Sequence, residues 1–349
     1  MRAITLEPGT PGSAALEEVA EPAAEEGAVL VDGVAWGICG TDAEIIAGEY
    51  GEAPPGADRL VLGHESLGRV AEAPAGSGFD PGDLVVGIVR RPDPVPCGSC
   101  AAGEWDFCRN GLYTERGIKG LHGFASERWR IEPEFLVKLD GGLGLLGVLM
   151  EPTTIVAKAW EQIDRIMARA TIAPERVLVC GAGPIGLLAA LLARARGYEV
   201  IVLDRATDGP KPALVRDLGA AYHAGAVHDV EPAPDIIVEA TGADAVVLDA
   251  MGHTGANGVV CLTGVSSGGH SVALDAGALN RSLVLENDVV FGTVNANRRH
   301  YAAAAEALAA ADRDWLGRLI TRRVPLDRWQ EALQRTPQDI KVVVELGAT

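Results

Sequence analysis

Gly181-Ala182-Gly183-Pro184-Ile185-Gly186 is the stretch that decides the fold. A short apolar run, Val177-Leu-Val-Cys180, leads into it, and a Leu- and Ala-rich segment at 184–196 leads out. Strand, tight glycine turn and helix are the context that a dinucleotide-binding loop needs. The first glycine permits the turn, the second lets the backbone approach a pyrophosphate, and the third lets helix and strand pack closely. The N–H groups opening the helix then face the phosphates. Asp204 closes the next apolar run, Glu199-Val-Ile-Val-Leu, 23 residues after Gly181. A carboxylate at that place accepts from a ribose 2′-hydroxyl and repels a 2′-phosphate. Arg205 would suit the phosphate, but the acid stands at the strand end itself, so NAD is expected in preference to NADP. The expected cofactor contacts are Gly181, Gly183, Pro184, Ile185, Gly186, Asp204 and Arg205.

Outward from the loop, the pattern continues on one side and changes on the other. Downstream, Asp235-Ile-Ile-Val-Glu-Ala, Gly258-Val-Val-Cys-Leu and Val289-Val-Phe-Gly read as further strands separated by helical stretches. That alternation predicts a doubly wound parallel sheet over 155–290. Just upstream, Ile155, Ala159, Trp160, Ile163 and Ile166 recur at helical spacing, predicting one long helix over 145–170. Before about residue 140 the chain is short strands and Pro/Gly turns, such as Phe79-Asp-Pro-Gly-Asp-Leu-Val-Val-Gly, which predicts a β-rich, barrel-like domain. Ile340-Lys-Val-Val-Val-Glu-Leu is a last strand returning to it. The fold class is therefore α/β, with one domain over 1–154 and 291–349 and a second over 155–290.

The totals fit two domains. The chain has 349 residues, 48% of them hydrophobic. Its formal net charge of −18 argues against binding a phosphate backbone, which needs clustered Lys and Arg. No nucleic-acid partner is expected. No uninterrupted apolar run reaches the roughly 18 residues of a membrane span, and no apolar signal core opens the chain, so a cytoplasmic protein without a membrane partner is expected. The six cysteines then read as metal ligands or small core residues rather than disulfides. Cys180 and Cys261 lie in apolar strands and read as core; His223, His228, His253 and His270 receive no role.

Chemistry concentrates between residues 37 and 65, which contain Gly37-Ile-Cys39-Gly-Thr41-Asp42 and Gly63-His64-Glu65. A thiol and an imidazole are ligands that zinc takes, and two ligands call for a third elsewhere. Together with Met150-Glu151-Pro and the glycine loop, in this order and spacing, these motifs resemble the zinc-dependent medium-chain alcohol dehydrogenase superfamily over essentially the whole chain. The resemblance implies a GroES-like β-rich catalytic domain joined to a Rossmann nucleotide domain. It implies a catalytic zinc held by Cys39, His64 and Glu151, with Glu65 as an exchanging ligand and a fourth position open. Bound zinc acts as a Lewis acid on the hydroxyl to be oxidised. Thr41 would pass the proton outward. Some relatives have a histidine five residues after the cysteine as the next relay; this chain has Glu44.

Cys97-Gly-Ser-Cys100, seven residues, then Cys108 keeps three positions of the family's four-cysteine structural zinc lobe. Pro94 stands where the first should be, and Asp93 offers an oxygen instead, so a second, structural Zn2+ on Asp93, Cys97, Cys100 and Cys108 is expected over a lobe without metal. Val89-Arg90-Arg91-Pro92, 113–124 and Gly292-Thr-Val-Asn295-Ala-Asn-Arg-Arg-His300 resemble the archaeal-type glucose (aldose) 1-dehydrogenase branch. There, polar residues hold sugar hydroxyls, a role carried to Glu115, Asn295, His300 and Glu151. The resemblance thus implies hydride transfer from a sugar hydroxyl to NAD(P), giving a lactone. Two alternatives stay open: a dehydrogenase of another polyol, amino-cyclitol or secondary alcohol, and a non-catalytic nucleotide-binding relative. Family members form homodimers or homotetramers, which is the expected assembly.

Overall fold

The computed structural model describes residues 1–347 except 269 and 270, so His270 lies outside the described residues. The chain divides into two compact units, Met1–Glu151 with Ala296–Thr349, and Pro152–Asn295. The expected boundaries at 154 and 291 lie three and five residues away, and Asn295 falls in the second unit.

The second unit carries a six-stranded, all-parallel sheet. Its spatial order is Ala221–His223, Glu199–Leu203, Arg176–Cys180, Ile236–Glu239, Val259–Leu262, Val289–Gly292. Val177, Leu178, Val179 and Cys180 are all sealed from solvent. Helices cover both faces of such a sheet, so its central strand reads as an unbroken apolar run rather than an alternating one. The order reverses at Arg176–Cys180: the chain runs outward through Glu199–Leu203 and Ala221–His223 on one side, then returns to Ile236–Glu239 on the other. Ligands bind beyond the strand ends at such a switch point, and the glycine loop occupies that place.

The first unit is β-rich. Leu136–Lys138, Leu84–Gly87, Glu65–Glu72, Val29–Gly37, Lys341–Glu345 and Ile320–Pro325 neighbour one another in that order, and Arg128–Ile131 pairs with Val29–Gly37. Val29–Gly37 runs antiparallel to Glu65–Glu72 on one side and to Lys341–Glu345 on the other. Both zinc-type motifs therefore abut the same strand ends. One core of this unit gathers Trp36, Ile38, Leu60, Leu62, Val324, Trp329 and Val344; a second gathers Val31, Val85, Phe124 and Trp129. Burying each such side chain stabilises by about 1.5–3 kcal/mol.

The helix expected over 145–170 is two elements. Gly141–Leu149 is a 3-10 segment with Gly144 at φ +50°, and Met150–Met167 is the α-helix. Four glycines in nine residues weaken α-helix formation, and Gly144 adopts a conformation a helix cannot contain. From Met150 the apolar spacing takes over: Val156, Ala159, Trp160, Ile163 and Met167 are buried. Trp160 donates to the Ala189 carbonyl at 3.3 Å and stacks on Tyr198. The two elements together are long and apolar enough to cross a membrane by length and composition, although Glu151, Lys158 and Glu161 interrupt the apolar run. Two-thirds of the qualifying window is buried inside the protein, as in a core helix.

Candidate functional site

The first site grows from the ends of two paired strands. Gly37 and Glu65 face each other across the antiparallel pair. A Cβ at Gly37 would collide with the Glu65 carboxylate, so the glycine makes room for the acid. Gly63 sits at φ +92°, and a Cβ there would meet Ala125 and Trp36 at 2.9–3.0 Å. This turn delivers His64 and Glu65 inward, 5% and 2% exposed. Cys39 precedes the helix Gly40–Ile46, and its backbone N–H donates to Asp42 Oδ2 at 2.8 Å. Ligand atoms of Cys39, His64 and Glu65 then lie within 4.8 Å of one another.

Electrostatically this cluster favours a cation. His64 Nδ1 faces Asp42 Oδ1 at 3.5 Å; both atoms are buried and neither has a hydrogen-bond partner among the described residues. A carboxylate behind one ring nitrogen orients the other towards a metal. Burial pulls the His64 pKa down, but Asp42 and Cys39 outweigh it and hold the imidazole well above its usual value. Glu151 is pushed up to about 7, first by burial, with His64 and Lys341 opposing and Glu65 and Asp42 adding. It lies in the field of the same groups. A thiol, an imidazole and carboxylates in one pocket form a donor set that zinc fits. Thr41 is half-buried on the same helix, and Glu44 is exposed.

Two residues here escaped the sequence reading. Asp42 signals itself only as an acid three residues past Cys39. Lys341, 1% exposed, ion-pairs with Glu65 and donates to the Ile38 carbonyl at 3.0 Å. Its only signal is a lysine inside an apolar strand.

The cysteine lobe brings its three thiols within 4.8 Å of one another. Cys108 Sγ lies 3.9 Å from Oδ2 of Asp93, which is 3% exposed. The three thiols thus form one cluster, and Asp93 stands against one of them. The Arg109 N–H, at 3.4 Å, leads the interactions that pull Cys97 down to about 6; burial pushes Cys100 up to about 11. The Asn297 amide ties the lobe down by donating to the Gly103 carbonyl at 2.7 Å and to Asp106 at 2.9 Å.

The expected sugar-binding residues lie in different settings. Glu115 is buried and meets Arg90 Nε at 2.9 Å. Asn295 adopts φ +50°, and both its amide atoms are buried without a hydrogen-bond partner among the described residues. Asparagine adopts this left-handed conformation more readily than most residues. His300 is buried near the start of the helix Arg298–Ala310, where its Nδ1 accepts from the Asn297 N–H at 2.9 Å.

In the glycine loop, Gly181 sits at φ +103°, and a Cβ at Gly186 would overlap the Gly181 carbonyl. Pro184 is the first residue of the helix Pro184–Ala195. Asp204 does not stand alone. Its Oδ2 accepts from the Ala182 N–H at 2.7 Å, its Oδ1 from the Ala206 N–H at 3.0 Å, and Lys211 Nζ lies 3.3 Å away. Lys211 is a neighbour the sequence reading missed, since seven residues and a turn separate it from Asp204.

The family described as "Glucose dehydrogenase C-terminus" matches residues 144–346, and the one described as "Alcohol dehydrogenase GroES-like domain" matches residues 25–141. The chain belongs to the glucose dehydrogenase branch of the zinc-dependent medium-chain alcohol dehydrogenases. Relatives within this branch match end to end. A glucose 1-dehydrogenase of Methanocella arvoryzae is 41% identical over all of both chains. Glucose 1-dehydrogenase 2 of Vulcanisaeta moutnovskia is 41% identical over 99% of each. Among solved structures, Haloferax mediterranei glucose dehydrogenase in complex with NADP, Zn and gluconolactone superposes with a TM-score of 0.91, at 33% identity over all of both chains.

Proposed function

We propose that this chain oxidises a glucose-like aldose at the anomeric carbon, with NAD(P) as hydride acceptor and a lactone as product. The observation that carries the reading is the cluster of half-buried Cys39 with buried His64 and Glu65, in the field of Glu151, in a chain that matches glucose 1-dehydrogenases over its full length. In this reading Cys39, His64 and Glu151 hold zinc, and Glu65 exchanges with them. When bound, zinc supplies the Lewis acidity that lowers the pKa of the reacting hydroxyl. Thr41 takes the hydroxyl proton outward, and the hydride from the same carbon goes to the nicotinamide. Glu115, Asn295, His300 and Glu151 hold the other sugar hydroxyls.

Asp93, Cys97, Cys100 and Cys108 hold the second, structural zinc. Gly181, Gly183, Pro184, Ile185 and Gly186 cradle the pyrophosphate, while Asp204 and Arg205 face the adenosine ribose. Asp204 favours NAD, but Lys211 already neutralises it and Arg205 is exposed, so the chain uses NADP as well. Exposed Val284, Leu285 and Val294 in the second unit support a homodimer or homotetramer.

A panel of aldoses, cyclitols and simple alcohols, assayed with NAD and with NADP, tests the reading. Glucose-like aldoses should give the highest kcat/KM, and removing zinc by dialysis against chelator should abolish turnover. Fresh, active protein with less than one zinc per chain would refute it.

A further inference from the structure

Arg90 has no place in the reaction above, yet it is the partner of Glu115. The two are direct cross-strand neighbours where Arg90–Arg91 pairs with Thr114–Arg116. Both are buried, at 7% and 6% exposure. A buried carboxylate needs a counter-charge, and Arg90 supplies it through Nε to Oε1 at 2.9 Å. The guanidinium cannot swing freely, because it lies 3.6 Å over the Tyr113 ring. Lys119 meets the same ring at 4.6 Å and is itself tied to the Gly111 carbonyl at 2.6 Å.

This arrangement leaves atoms over. Among the described residues, Glu115 Oε2 and both Nη atoms of Arg90 have no hydrogen-bond partner. None of the three belongs to the fully buried unpartnered atoms, so each keeps access to solvent. A charged acceptor and charged donors thus stand side by side on a rigid, preorganised pair. A hydroxyl both donates and accepts, so two hydroxyls on neighbouring carbons match this arrangement. We infer that Arg90 and Glu115 form a clamp for a vicinal diol of the sugar, Glu115 accepting from one hydroxyl and Arg90 donating to the next. The inference rests on Glu115 being a sugar contact and adds Arg90 as a specificity-determining residue.

The test compares glucose with 2-deoxy-, 3-deoxy- and 4-deoxyglucose on the zinc-loaded wild type, Arg90→Gln, Arg90→Lys and Glu115→Gln. A hydrogen bond to a charged group implies that the wild type loses about 10- to 100-fold in kcat/KM for each of two adjacent hydroxyls removed. In Arg90→Gln one of those two losses should vanish while the other stays; Glu115→Gln should erase the other. Should Arg90→Gln fail to fold, Arg90→Lys, which keeps the charge but not the fork, is judged by the same comparison. Unchanged losses in the arginine variant, with one erased in Glu115→Gln, would overturn the inference and leave the Glu115 reading standing. Unchanged losses in every variant, or none in the wild type, would overturn both.

Discussion

At the scale of single residues, the cysteine lobe gives a pH-dependent prediction. The Cys97 thiol lies below its unfolded value, so the thiolate's stabilising interactions are present at high pH and are lost as pH falls through about 6. Cys100 is shifted the opposite way, to about 11. In chelator-treated protein, iodoacetamide should therefore label Cys97 half-maximally near pH 6 and leave Cys100 unlabelled at neutral pH. Restoring zinc should protect Cys97, Cys100 and Cys108 together. Mass spectrometry of tryptic peptides reads both outcomes, and equal labelling of Cys97 with and without zinc would count against a metal there. The three thiols were legible because their spacing lies within twelve residues. Asp42, Arg90 and Lys341 were not, because each acquires its meaning from a partner on a different element.

The glycine loop at Gly181–Gly186 is the element whose sequence said most. Its strand, turn and helix need only local backbone chemistry, so the six-residue pattern carries nearly all the information. Gly186→Ala should place a methyl group against the Gly181 carbonyl. Overpacking of this kind costs about 1–3 kcal/mol, and here it also closes the pyrophosphate cradle. A lower melting temperature and no NADPH fluorescence enhancement on titration are expected; normal cofactor affinity would show that the third glycine is dispensable. The pattern at 145–170 shows the opposite case. Its apolar spacing runs on without a visible stop, yet its first five residues belong to the glycine-rich 3-10 segment Gly141–Leu149 and only Met150–Met167 is α-helical. Strands as short as Ala221–His223, or with as many charges as Ile320–Pro325, carry too little pattern to stand out, and their place comes from the neighbours they pair with.

For the whole molecule, the net charge of −18 has a direct consequence. Like charges repel within a compact state, and salt screens them. Raising KCl from about 0.01 to about 0.15 M shortens the screening length from about 30 to about 8 Å. The melting temperature should rise by a few degrees over that range, as read by calorimetry; a fall would mean that surface ion pairs outweigh the repulsion. The sequence pattern changes near residue 145, and the first compact unit ends at Glu151, where strand-and-turn patterning has given way to helical periodicity.

Lys341 links these scales. It pairs with Glu65, and Cys39 and His64 stand beside it, nearly three hundred residues earlier in the chain. A ribosome that has translated both zinc-type motifs has still not made their counter-ion. A nascent chain stalled anywhere before residue 341 would hold the thiol, the imidazole and the carboxylates with no lysine to balance them. The charge balance of the site is thus complete only once the last strand has emerged.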